Sequence, residues 1–355
     1  MLFQVMLETS LAEQTRFAFV EKQMGADFRI VLYADGEKVA NEAATAAFAE
    51  VERLNAILSD YDPESELSRL SDTSGSGQHI ALSDDLFSVL DASQKLARQT
   101  AGAFDVTIGP CVRLWRIARF RKAFPLTEKL AEVRKAVGFR HLNISHTKQT
   151  ALLEVPNMVL DLGGIAKGYV ADKALMVLRK RGIGSALVDA GGDLSLGDPP
   201  PDRKGWRIEV GGLKHRDLPV LELARCSIAT SGDIEQFVEI DGKRYSHLIN
   251  PSTSIGLTKR MQVTVVTSTG IQADSLASAL SVLGTERGSK LVQKLSGVRA
   301  YFVEGVAERT VDLVSSFVGA DGAIESRTEG LNRDLEQIQE NQARLEERIA
   351  AYRER

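Results

Sequence analysis

MVLDLGGIAKGYVAD, residues 158–172, decides how this chain is built. The apolar run 158–162 predicts a buried strand that ends on Gly163-Gly164. A helix is expected next, with Tyr169, Ala171, Ala174, Leu175, Val177 and Leu178 facing inward. A glycine pair at a helix N-terminus lets backbone N–H groups approach a phosphate. Lys167 can then reach an anion or a carbonyl oxygen, although a helical lysine is ordinarily only solvated. VDAGGD at 188–193 repeats the pattern of an apolar strand ending on glycines, which is equally what a tight turn requires.

A distant stretch, ADSLAS at 273–278, asks for a partner. On a helix Asp274 and Ser278 lie one turn apart on one face. A carboxylate and a hydroxyl offered together suit a hard cation such as Mg²⁺, which takes oxygen ligands. The bare backbone near Gly163-Gly164 could add a carbonyl oxygen, and an ion held that way suits a pyrophosphate. Taken alone, Asp274 would serve equally well as first-turn charge for its helix.

The rest of the chain places these stretches in an α+β framework. Residues 24–36 read as a strand stopped by Asp35-Gly36, and 37–58 as an amphipathic helix carrying Val39, Ala43, Ala47, Val51, Leu54 and Leu58. LSDYDPESELSRL at 58–70 reads as a polar loop and SDTSGSG at 71–77 as a flexible one. Ser83 with Asp84 and Asp85 marks a helix start, and that helix runs to about Gln99. WRIEV, SIATS and MQVTVVTST read as further strands, and 272–283 as a helix closed by Gly284. Strands and helices alternate without the regularity of a doubly wound sheet, so antiparallel meanders are expected, ending near Glu304.

Composition narrows the class. A chain of 355 residues with 43% hydrophobic and 26% charged residues has material for a sizeable core. Its net charge of −4 gives no support for nucleic-acid binding. Cys111 and Cys226 alone make no disulfide framework, so both are expected as buried free thiols. The N-terminus has no basic start, continuous apolar run or small-residue cleavage site, and no lipid-attachment cysteine. As written, the chain is expected in the cytoplasm.

Other residues could carry chemistry. His247, in RYSHLINPST at 244–253, stands where a general base could act near neutral pH, or where a histidine would brace the Asn-Pro turn. Phe104 and Asp105, in GAFDVTIGP at 102–110, fit either core and turn or the wall and polar contact of a planar ligand. Tyr61 could stack on a base or sit on the surface.

Together these stretches carry a resemblance. The MG at Met24, LSDYDPESELSRL, TAGAFDVTIGP at 100–110, DLGGIAKGYVAD, ALVDAGGDL, SIATSGD at 227–233, YSHLINP and ADSLASAL resemble, in number and order, the ApbE family of flavin transferases. The resemblance spans about 24–304 and implies a mixed α/β, T-fold-related flavin transferase domain, with 1–23 as an N-terminal extension. It implies transfer of the FMN part of FAD to a threonine or serine hydroxyl of an acceptor protein, releasing AMP. The alternatives are an FAD pyrophosphatase giving FMN and AMP, and a non-catalytic flavin-binding protein. By motif, Gly164 (through its carbonyl), Asp274 and Ser278 would hold Mg²⁺. Met24, Tyr61, Ala103, Phe104, Asp105, Asp161, Lys167 and Leu248 would contact FAD, and His247 would be the base. Ser278 stands where the family usually has threonine, and STSIGL after Pro251 departs from the family's usual loop. Many family members are exported lipoproteins, so a periplasmic, inner-membrane-anchored form is the alternative location.

The tail differs. From Ile324, bulky residues recur at Leu331, Leu335, Ile338, Leu345, Ile349 and Tyr352 in a heptad seam. GADGAIESRTEGLN and the heptads after it resemble the coiled-coil end of the flagellar filament-cap (hook-associated) protein. A long amphipathic helix over 305–355 is expected, with self-association or a partner helix as its use. A non-catalytic chain would then be a flavin binder fused to a flagellar assembly helix.

Overall fold

The computed structural model describes residues 14–210, 219–232, 237–304 and 309–314. The heptad tail from Ile324, with its expected coiled coil, lies outside the described residues, whereas 309–314, inside the helix expected over 305–355, form a strand paired with 299–304.

Eight strands form one antiparallel sheet whose spatial order is their chain order. They are β1 (Thr15–Gln23), β2 (Ala26–Ala34), β3 (Ala186–Ala190), β4 (Leu194–Leu196), β5 (Ser227–Gly232), β6 (Met261–Thr267), β7 (Arg299–Glu304) and β8 (Arg309–Val314). The sheet thus begins before Met24 and continues past Glu304. Three helices cover one face: α1 (Glu37–Leu58), α6 (Ala166–Lys180) and α7 (Gly270–Val292). Between α1 and α6 the chain forms α2 (Glu66–Asp72), α3 (Asp84–Gln99), α4 (Gly109–Arg121) and α5 (Thr127–Arg134). A hairpin of Trp206–Glu209 and Val220–Leu223 covers the other face, with Trp206, Leu221 and Leu223 packed on Ile228, Val266 and Tyr301. Every residue of β6 is therefore buried. This explains why its sequence is uncharged and mostly apolar rather than alternating.

The expected strand over 24–36 and helix over 37–58 are present, although Val39 is exposed. Ser83 caps α3 by accepting from the Leu86 amide at 3.3 Å. Both cysteines are buried and free. Three expectations change. The run 158–162 is buried through Met158, Leu160 and Leu162, but only Val159 bridges to another segment, at Ile108. Its amides go elsewhere, Leu160 to Ser71 Oγ and Asp161 to the Val106 carbonyl, so it is an extended core segment rather than a sheet strand. The loop read over 58–70 ends early, because Ser65 accepts from the Ser68 amide and caps α2. Gly284 interrupts α7 with φ 75° and ψ 170°, yet the chain resumes helical geometry beyond it.

Candidate active site

The site starts where α6 and α7 cross. A Cβ on Gly168 would lie 2.0 Å from the Gly270 carbonyl oxygen, so only glycine allows the helix backbones this close. Asp172, one turn further along α6, accepts from the Gly270 amide at 2.8 and 2.7 Å, from Ile271 at 3.2 Å and from the Ser195 hydroxyl at 2.6 Å. It caps the start of α7 from a neighbouring helix. The crossing sets Asp274 and Ser278, in the first turns of α7, against the start of α6.

Gly168 is the third residue of α6, so its amide is one of the first-turn donors that have no partner within the helix. It donates to Asp274 Oδ2 at 3.0 Å. Among the described residues, the Gly164 carbonyl accepts no backbone hydrogen bond and Asp274 Oδ1 has no protein donor. The hydroxyls of Ser275 and Ser281 bond back to carbonyls four residues earlier in the helix. The Ser278 hydroxyl makes no such bond and faces Gly164, where a Cβ would lie 2.8 Å from its Oγ and 3.6 Å from the Phe104 ring. Three oxygens on two elements are thus unused by the protein. A carboxylate, an alcohol and a carbonyl are the donor set of a hard cation. No group of three or more His, Cys, Asp or Glu side chains set to hold a metal occurs among the described residues.

Charge is concentrated beside these oxygens. Lys167 Nζ donates to Asp193 Oδ2 at 2.5 Å. Burial works against the Lys167 ammonium, but the charges of Asp193 and Asp274 together outweigh it and its pKa is raised. Asp274 is only 5% exposed. Burial first, then the neighbouring Asp193, pushes its pKa up to about 8. A buried carboxylate in this condition favours a proton or a cation.

A polar wall continues from there. Asp161 accepts from the Gly163 amide at 2.8 Å, and burial, then Asp60, raises its pKa. Arg116 of α4 pairs with Asp60 at 2.8 Å, lies 3.5 Å from Asp161, and sets its guanidinium 4.2 Å above the Tyr61 ring. Tyr61 is 77% exposed, so one face of its ring is open to a ligand.

The remaining expected residues are placed as follows. Asp105 Oδ1 accepts from the Thr107 amide and hydroxyl, and Oδ2 from the Phe139 amide. Its carboxylate shapes the loop that presents Ala103 and Phe104. Met24 occupies the β1–β2 turn with φ 50°. Gly191 approaches Ala26 so closely that a Cβ would lie 2.7 Å from the Ala26 Cβ, so this turn adjoins the Gly-Gly loop that carries Asp193. His247 and Leu248 follow the strand Lys243–Ser246, and Leu248 donates to the Ser246 hydroxyl. Their hairpin is carried by α4, through Tyr245 on Trp115 and the bond from the Trp115 indole to the Ser254 carbonyl at 2.9 Å. That is a different element from those holding Lys167 and Asp274.

Sequence reading missed Asp172, Asp193 and Arg116 as parts of the site. The first two stand inside quoted motifs, DLGGIAKGYVAD and VDAGGD. An acid directly after paired glycines was the available signal for Asp193. Arg116 is one of five cations in 109–122, and spacing does not distinguish it from the others.

A buried acid-and-lysine cluster with spare oxygens, beside an open aromatic, defines a site for a ligand with both an anionic and a planar part. The comparisons with known proteins give it a family. Residues 24–302 match the ApbE family. Curated relatives include the FAD:protein FMN transferases of Vibrio cholerae, 34% identical over 249 residues (68% of this chain, 74% of the relative), and Treponema pallidum, 30% identical over 310 residues (82% and 85%). Similar solved structures include the Vibrio cholerae flavin transferase ApbE, with TM-score 0.76 and 30% identity over 86% of this chain and 98% of that one. The apo flavinyl transferase of Pseudomonas stutzeri gives 0.75 and 28%, over 86% and 96%. The chain belongs to the ApbE family. It is an enzyme of the flavin transferase class, with FAD as substrate and a protein as acceptor.

Proposed function

We propose that this chain moves FMN from FAD to a threonine or serine hydroxyl of its acceptor, releases AMP, and depends on Mg²⁺ to do so. One observation carries the reading: where the start of α6 meets α7, the Gly164 carbonyl, Asp274 Oδ1 and the Ser278 hydroxyl each lack a protein partner among the described residues. These three would hold the ion, and it would supply charge neutralisation for a diphosphate. Lys167, kept charged by Asp193 and Asp274, adds a fixed cation beside the same position. Tyr61, Phe104, Ala103, Met24 and Leu248 would hold the planar rings, and Asp161 with Arg116 would contact polar groups between rings and diphosphate. Asp105 acts by shaping its loop. His247 would take the proton from the acceptor hydroxyl, a contribution of about 10²–10⁴ in rate.

The test is incubation with FAD, Mg²⁺ and the acceptor domain of the Vibrio cholerae relative, followed by intact mass. Gain of one FMN on the acceptor with stoichiometric AMP is expected, and both should vanish when Mg²⁺ is chelated. Free FMN and AMP with an unmodified acceptor would make the chain an FAD pyrophosphatase. Bound FAD without turnover would leave it a flavin binder.

A further inference from the structure

A transferase that modifies a protein must dock that protein beside its bound FAD. The described surface holds one face suited to this, on the helix that bounds the site. Helix α4 buries Cys111, Trp115 and Ala118 against the hairpin that leads to His247. Its opposite half presents Arg113, Arg116, Ile117 and Phe120, which share one face by helical spacing. Arg116 reaches back from that face to Asp161 and the Tyr61 ring, so the face is continuous with the mouth of the site. Phe120 is 91% exposed and Ile117 50%, and Leu126 beyond the helix end is also exposed. Neither packing nor capping accounts for a phenylalanine held this far into solvent.

The charge of this face is one-sided. Residues 109–127 contain five cations and no carboxylate in a chain of net charge −4. Arg119, Arg121 and Lys122 make no ion pair with a described residue. An apolar centre with an arginine-rich rim is the composition of a protein-binding hot spot. We propose that the outer face of α4, centred on Ile117 and Phe120 and ringed by Arg113, Arg119, Arg121 and Lys122, docks the acceptor protein through an apolar and acidic surface of that partner. The occupant follows from position: a body on this face touches the helix that supports both the Tyr61 wall and the His247 hairpin. This inference rests on the transfer reading above.

The test uses the full chain and the same acceptor domain, with initial rates of FMN transfer measured against acceptor concentration. Ile117→Ser/Phe120→Ser is expected to raise the acceptor KM at least tenfold while leaving kcat and the KM for FAD unchanged. Arg119→Glu/Arg121→Glu/Lys122→Glu should raise it similarly and abolish its dependence on salt. Transfer to a short threonine peptide, which lacks the docking surface, should be unchanged in both variants. Ile117, Phe120, Arg121 and Lys122 are exposed and Arg119 is half-buried, and far-ultraviolet circular dichroism checks the fold of each variant. An unchanged acceptor KM in both variants overturns the inference. So does an unchanged KM accompanied by loss of binding to phosphatidylglycerol vesicles, which would make the face a membrane contact, or by loss of a dimer in light scattering, which would make it a self-contact. If the wild-type chain gives no adduct at all, the transfer reading itself fails.

Discussion

Replacing Gly164 by alanine separates the site's geometry from its stability. The backbone of Gly164 lies outside the left-handed region, so alanine fits it without strain. The added carbon would sit 2.8 Å from Ser278 Oγ and 3.2 Å from its Cβ, which calls for about half an ångström of movement. Turning about χ1 moves the serine hydroxyl aside, at about 0.5–1.5 kcal/mol if it leaves its rotamer, and the closer Cβ contact needs only a small shift of the helix backbone. Alanine returns about 0.4–1 kcal/mol through the unfolded chain. The two nearly cancel, so the melting temperature should stay within about 3 °C of wild type. Activity should not survive so well, because the hydroxyl has left the oxygen set. A displacement approaching 1 Å costs about 10²-fold in rate. AMP release and acceptor adduct, measured across a Mg²⁺ titration, should show a rate down about 10²-fold and a higher Mg²⁺ half-saturation. Gly168→Ala is the contrast. Its Cβ would meet the Gly270 backbone at 2.0 and 2.4 Å, and backbone cannot rotate away. That overpacking should cost the upper end of about 1–3 kcal/mol, and the melting temperature should fall by about 5–10 °C. Wild-type rate and unchanged Mg²⁺ half-saturation in Gly164→Ala would refute the assignment of Gly164 and Ser278 to one cation.

Asp274→Asn should abolish transfer while raising metal-free stability at neutral pH, since the wild-type carboxyl, buried beside Asp193, must take up a proton on folding and asparagine need not. The wild-type carboxyl is held at about 8, against 3.8 when unfolded. The folded chain therefore keeps a proton that the unfolded chain loses, so the contribution of Asp274 to metal-free stability is fully present below about pH 4 and is lost as pH rises through 8. Chelated protein followed by thermal melts should show that decline in wild type and its loss in the variant, and Mg²⁺ should bind more weakly as pH falls below 8. Lys167→Met leaves Asp193 and Asp274 facing each other unrelieved. Breaking such a buried pair should cost about 3–5 kcal/mol by denaturant titration, and an unchanged midpoint would count against the pairing. Asp172→Ala strips the cap from α7, at about 2–3 kcal/mol. Its fall in melting temperature should bring a loss of Mg²⁺ affinity that Asp172→Asn partly restores.

Local pattern predicted the elements well where one rule governed them. The helix over 37–58 follows from apolar spacing alone, and the start of α3 from Ser83 and its acids. It failed where a partner decided the outcome. The run 158–162 has the composition of a strand, but its amides are taken by Ser71 and Val106, and no list of residues reveals that competition. Asp105 reads equally as a turn residue or a ligand contact, and only the fold shows that Thr107 and Phe139 donate to its oxygens.

The order of motifs along the chain was enough to establish the family and to name Gly164, Asp274 and Ser278 together. Side-chain chemistry and helical spacing are local properties, so they can be read without a fold. What brought those residues within reach was the contact of Gly168 with Gly270 and the cap from Asp172, both between segments about 100 residues apart. The same crossing gave the Gly168 amide its partner, left three oxygens unused and raised the Asp274 pKa. Burial and the field of a neighbouring charge exist only once the chain has packed, and for that reason the tertiary structure alone decided them.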